Sequence, residues 1–244
     1  MRVEFDVYLD HIVKQAAALR AAAVTAGPEA EVSPCPGWTV LRLVRHIARV
    51  HSWVVQAIDA DPAGEPPKAE RPPEEWAAAL DWWDETAAAM VSGLRERGPD
   101  GPAWAFLGDP TAGFWARRQA HETAIHRLDA EHALHGADVD PLLFDADLAA
   151  DGIDEVLTSM VPGQVRRHPI EVEGTVLFHA ADAGRAWLVT LRPGDVPEVG
   201  PATELDTDAA VVGTADAVYR AAWHRPSSAV VTGDRALVAA LRTP

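Results

Sequence analysis

A bundle of long helices followed by a small α+β domain is the fold class this sequence predicts, and three observations predict it. Up to about residue 160, Ala-rich stretches of helical period are separated by Gly- and Pro-bearing breaks. The stretch from Trp115 to Glu131 contains no Pro or Gly and is built from good helix formers. Beyond Val161-Pro162-Gly163 the pattern changes to short β-branched runs bounded by turn residues.

Taken in order, the first helix spans about Phe5 to Ala26 and is closed by Gly27-Pro28. Ser33-Pro-Cys-Pro-Gly37 is a rigid loop, after which Trp38-Thr39 opens a helix to about Ala60 with Thr39 as its N-cap. Asp61 to Pro67 is a turn-rich linker. Pro72-Pro73-Glu74-Glu75 starts a third helix that ends near Gly98-Pro99. Pro110 and Gly113 precede the fourth helix and Gly136 closes it. A fifth is expected from about Phe144 to Met160. Long helices joined this way predict an antiparallel four-helix bundle, with sites built between facing helices. In the second part, Gly174–Asp182 and Arg185–Arg192 read as a hairpin turning at Asp182-Ala-Gly184. Ala209–Gly213 is a third strand, Ala215–Trp223 a helix capped by Thr214, and Ser228–Thr232 a fourth strand. Gly233-Asp234 leads into a last helix. The expected domains are 1–162, helical, and 165–244, α+β.

Composition excludes several function classes. The 244 residues carry 37 acidic and 21 basic side chains, a formal net charge of −16. Nucleic acid and anionic membrane surfaces both require clustered positive charge, so neither is an expected partner. One cysteine, Cys35, rules out an internal disulfide and a cysteine-rich metal site. No signal peptide and no apolar stretch of spanning length is readable, and a cytoplasmic location is expected. A monomer or homodimer is expected.

The chemistry concentrates on the fourth helix. At 100° per residue, Glu122 and His126 lie about 40° apart on one face, and Trp115, Asp129 and Ala133 fall within about 20° of Glu122. A face carrying Trp and Ala looks inward, so the carboxylates and the imidazole are pointed inward with it. A buried carboxylate is paired or coordinates a metal. His121-Glu122-x-x-x-His126 is one residue too long for the zinc-protease pattern: His121 and His126 are about 140° apart and cannot share an ion. The usable pair is Glu122 with His126, and a third ligand must come from another helix.

His46 is the best candidate. Its neighbours on the second helix within about 60° are Leu43, Val50 and Trp53, with Arg42 and Arg49 on one flank, whereas His51 points about 140° away. Two histidines and a carboxylate form a known catalytic zinc arrangement with positions open to water or substrate, and they also suit iron or nickel. Spacing alone leaves blander readings open. His46 could be a hydrogen-bonded core residue, and Glu122 could simply pair with Arg118 one turn before it. Asp129 reads as a group behind the ligands or as an Arg partner. Cys35 reads as a packed thiol. The remaining histidines, His11, His132, His135, His168, His179 and His224, show no spacing that demands chemistry.

Pro36-Gly-Trp-Thr-Val40, Leu43-Val-Arg-His46, Val50-His-Ser-Trp53 and the run from His121 to Glu131 together resemble the mycothiol-dependent maleylpyruvate isomerase family. Asp206–Thr214 and Val231–Leu237 resemble that family's C-terminal domain, which is similar to sterol carrier protein. The resemblance implies a DinB-like four-helix bundle holding one divalent metal, usually zinc, through His46, Glu122 and His126. It also implies mycothiol as thiol cofactor: metal-bound sulfur is deprotonated to a thiolate. In the isomerase that thiolate adds to a conjugated cis double bond, and rotation and elimination give the trans product; in sister proteins it displaces a leaving group. The expected partners are thus a small electrophile and a thiol. Arg225, just after Trp223-His224, is the candidate for binding an anionic substrate or the thiol's carboxylate. Two function classes are expected: a metal- and mycothiol-dependent isomerase or S-transferase, favoured because all three ligand positions are intact, and a metal-binding module that senses thiols or electrophiles without turnover.

Overall fold

The computed structural model of the chain describes residues 3–202 and 206–243, which divide into two compact units between Val139 and Asp140. Among the described residues no helix is long and apolar enough to cross a membrane.

The first unit is a bundle of four helices: α1 (Phe5–Ala26), α2 (Val40–Asp59), α3 (Trp76–Arg97) and α4 (Ala112–His135). Their ends follow capping chemistry. Thr39 and Thr111 each accept a backbone N–H from three residues on, at Arg42 and Phe114. Gly27, Gly98 and Gly136 close helices at positive φ, where a Cβ would be strained. α3 starts later than the Pro72-Pro73 signal suggests. Glu75 keeps an extended backbone and caps the helix by accepting from the amides of Ala77 and Ala78, while residues 71–73 remain outside it. The core is built on Leu9, Ile12, Leu19, Leu43, Ile47, Trp83, Leu94 and Trp115, all but inaccessible; each contributes roughly 1.5–3 kcal/mol. α1 packs chiefly on α4, and α2 on α3, while α2 meets α4 along a shorter seam. One end of that seam is closed by ring contacts among Trp53, Trp104, Phe106, Phe114 and Trp115.

The second unit begins earlier than residue 165. The helix expected over 144–160 is α5 (Ala146–Glu155), which runs on through a π-helical turn (Val156–Met160) into α6 (Val161–Gln164), so Val161-Pro162-Gly163 lies inside helix and is no linker. α5 packs on α7 (Ala215–Ala222) and thereby belongs to the second unit. The segment before it is tied there as well. The Phe144 amide donates to Asp216 Oδ2 at 2.7 Å, and Arg220, paired with Asp216, donates to the Asp140 carbonyl at 2.6 Å. The boundary therefore falls at 139/140, in place of the expected 162/165.

The sheet has five strands in the order β3-β2-β1-β4-β5: β1 (Gly174–Ala180), β2 (Arg185–Leu191), β3 (Glu198–Pro201), β4 (Ala209–Gly213) and β5 (Val230–Gly233). Only β1 and β4 pair in parallel. Val176, Phe178 and Ala180 share a face with Trp187, Val189 and Val211 and are buried there; α7 packs on β1 and β4, as does the last helix, α8 (Arg235–Ala240). β3 was not an expected strand. Its Gly200 and Pro201 read as a turn, and they are tolerated because a short edge strand needs only one row of ladder bonds.

Candidate metal centre

α4 is the polar spine of the first unit. Arg118, Gln119, His121, Thr123, His126, Asp129 and His132 are all buried on it. Most buried polar groups in native proteins are hydrogen-bonded, so such a helix points to a built network. The network centres where α4 faces α2.

There the structure brings together His46, Glu122 and His126, with one ligand atom of each lying within 4.8 Å of the others. Glu122 Oε1 lies 3.2 Å from His46 Nε2 and 3.4 Å from His126 Nε2. A tetrahedral ion with bonds of about 2.0–2.1 Å separates its ligand atoms by about 3.3 Å, which is close to both of these separations. Glu122 does pair with Arg118, as its spacing allows. Oε2 accepts from Arg118 Nη2 at 3.0 Å, and Oε1 is turned to the histidines. His126 Nδ1 lies 2.9 Å from Asp129 Oδ2, which orients the ring and leaves Nε2 toward the cluster. Asp129 is fully buried and also accepts from the Cys35 thiol at 3.4 Å.

Electrostatics follow from these contacts. Burial opposes the His126 charge, yet the hydrogen bonds to Asp129 and Glu122 outweigh it and push its pKa up to about 9. Burial likewise opposes the Glu122 charge, but hydrogen bonds from His126 and His46 hold its pKa well below the ordinary carboxylate value. Trp38 walls the site: its ring stacks on His126 at 6.1 Å and meets His46 edge-on at 5.1 Å. His46 is the open member, with a third of its side chain exposed.

The other sequence candidates are elsewhere. His51 is a satisfied core residue. Its Nδ1 accepts from Trp83 Nε1–H at 3.1 Å, so Nε2 carries the proton and faces Thr123 Oγ1 at 3.2 Å. Burial holds its pKa down at about 3. His121 packs toward the Tyr8 ring of α1. Arg225 belongs to the second unit, where its guanidinium donates to the Trp223 carbonyl. Cys35 and Trp38 were not singled out as site residues by spacing; the signal that could have found them is their place in the loop that delivers α2. We expect His51→Ala and His121→Ala to leave metal stoichiometry intact by elemental analysis. His51→Ala should lower unfolding free energy by about 1–3 kcal/mol in denaturant titration, because it orphans the Trp83 N–H and the Thr123 hydroxyl.

The family profile described as Mycothiol maleylpyruvate isomerase N-terminal domain matches residues 9–139, and that of the MDMPI C-terminal domain matches residues 147–240. No curated protein matches the chain. Among solved structures, the crystal structure of the mycothiol-dependent maleylpyruvate isomerase is 15% identical, with a TM-score of 0.63 over 94% of this chain and 93% of that one. A mutant of the same isomerase is 14% identical at the same TM-score and coverage. At such identity the likeness is one of fold.

Proposed function

Since the chain belongs to the mycothiol-dependent maleylpyruvate isomerase family, we propose that it is a metal-dependent enzyme that uses mycothiol as its nucleophile, as an isomerase of that kind or as an S-transferase. The observation that carries this is the convergence of His46, Glu122 and His126 on one point of the α2–α4 seam. Zinc is the metal proposed. Bound there, a divalent ion would supply Lewis acidity that converts a thiol sulfur to thiolate at neutral pH.

The chain's own residues have separable roles. His46 and His126 supply Nε2 lone pairs, and Glu122 supplies one negative charge from Oε1. Arg118 holds Oε2 and so keeps the carboxylate turned toward the histidines. Asp129 fixes the His126 tautomer, and Trp38 excludes water from one side of the rings. Two neutral histidines and one carboxylate leave a dication with a net charge of about +1, which favours an anionic ligand in the open position. Arg225 is proposed to bind an anionic group of the substrate. The thiol is supplied from solution, because Cys35 Sγ faces Asp129 behind His126 and is already engaged there.

The test is turnover of a conjugated cis-alkene by the zinc-loaded protein with and without added mycothiol. We expect activity only with the thiol, and retention of most of it in Cys35→Ala. Full turnover without added thiol, or its loss in Cys35→Ala with zinc still bound, would place the nucleophile on the protein and sink the proposal.

A further inference from the structure

Within a chain of net charge −16, residues 32–58 contain three arginines and no carboxylate. This local reversal lies on the loop and helix that deliver His46 to the candidate metal centre. Arg42 and Arg49 are the i−4 and i+3 neighbours of His46, so all three share one side of α2, and both arginines are exposed. Arg42 is held in place: its Nη1 donates to the Gly37 carbonyl at 3.4 Å, and its guanidinium lies 4.9 Å from the Trp38 ring centre. Trp38 in turn touches both His46 and His126. The charge is thus built onto the wall of the site.

Several arginines of this chain have carboxylate partners, as in Arg20–Asp84, Arg97–Asp59, Arg127–Glu131 and Arg192–Glu198. Among the described residues Arg42 and Arg49 form no such pair. With 37 acidic side chains to draw on, two exposed guanidinium groups without a carboxylate, on the His46 side of α2, leave donors for something that arrives from solution. A guanidinium matches a carboxylate in planarity and donor spacing.

We propose that Arg42 and Arg49 are specificity-determining residues that bind a carboxylate of the electrophile and so select carboxylate-bearing acceptors over neutral ones. This rests on the catalytic reading of the same site, and it assigns anion recognition to α2 in the first unit in addition to Arg225. In the step served, the thiolate sulfur forms a bond to one alkene carbon, the π pair moves to the neighbouring carbon, and that carbon takes a proton from water. The arginines only hold the acceptor.

Two matched pairs of probes test it on the zinc-loaded full chain. Monoethyl maleate and diethyl maleate differ in one negative charge on the same cis-alkene; monoethyl and diethyl succinate are their unreactive counterparts for binding by ligand-observed NMR. Corrected for the uncatalysed reaction, kcat/KM should favour monoethyl over diethyl maleate. The double variant Arg42→Gln/Arg49→Gln should reduce that ratio about tenfold through KM, as expected for charge-assisted bonds at a partly exposed site. Monoethyl succinate binding should weaken in step, and Arg42→Lys/Arg49→Lys should keep most of both. Both preferences should fade as ionic strength rises. Zinc content and circular dichroism check that the double variants are folded and loaded. An unchanged ester ratio and unchanged monoethyl succinate binding in the folded Gln variant would overturn the proposal. Arginine-dependent binding of monoethyl succinate, with no turnover of either maleate, would overturn the catalytic reading and leave the anion site standing.

Discussion

Replacing His126 by Ala is expected to abolish metal uptake and, with it, all thiol-dependent turnover. His126 holds the network at two points: Nε2 lies 3.4 Å from Glu122 Oε1, and Nδ1 lies 2.9 Å from Asp129 Oδ2. Its removal takes away one ligand of three and leaves the fully buried Asp129 carboxylate without its imidazole partner, while Glu122 keeps Arg118. Orphaned buried charge of this kind costs several kcal/mol. The variant should therefore lose zinc and also unfold more readily than a His46→Ala protein, whose imidazole is partly exposed. His46→Ala should lose metal with little loss of stability. Elemental analysis beside a denaturant titration separates the two effects. Stoichiometric zinc in either variant would remove that residue from the ligand set.

The second large effect is a pH dependence of opposite sign with and without metal. The His126 pKa is raised in the folded protein, to about 9 from a model-peptide value of 6.5. A raised pKa means that the folded state binds the proton more tightly than the unfolded chain does. Without metal, the stability this supplies, roughly 3 kcal/mol, is complete below about pH 6.5 and is lost as pH rises through about 9. Glu122 has the reverse sign. Its pKa is depressed, so its contribution is present above the ordinary carboxylate value and lost as pH falls through the lower folded one. Metal binding must displace the His126 proton, so zinc affinity should climb with pH up to about 9. Thermal unfolding at pH 6, 7.5 and 9 should show Tm falling with pH in chelator and the zinc-induced rise in Tm growing. Zinc stabilisation that does not increase from pH 6 to 9 would show that His126 does not give up a proton to bind it.

Much of this was legible in the sequence because the relevant signals are local. Helical period, the Thr39 cap and the breaks at Gly27, Gly98 and Gly136 outline all four long helices, and the 40° between Glu122 and His126 needs nothing beyond helix geometry. The stripe holding His46 follows from the same arithmetic on α2. What was not legible depends on partners far along the chain. Whether α5 joins the bundle or packs on α7 is decided by Asp216 and Arg220, some seventy residues later, reaching back to Phe144 and Asp140. The place of Trp38 beside both histidines depends on how the Cys35–Trp38 loop folds over α4. Likewise, spacing cannot tell that Cys35 reaches Asp129, 94 residues away. β3 was hidden because a short edge strand tolerates the Gly and Pro that otherwise announce a turn.

The parallel pairing of β1 with β4 has a kinetic consequence. β1 and β2 are joined by a four-residue turn and can zip locally, whereas Val176 meets Ala209 only after the 32 residues between them have been brought round. Closing so long a loop loses chain entropy before any ladder bond rewards it. The hairpin therefore forms as a template, and β4, with α7 following directly from its end, completes the sheet late. Until then the β1 edge is open, and during synthesis the ribosome must release most of the second unit before that edge can be covered.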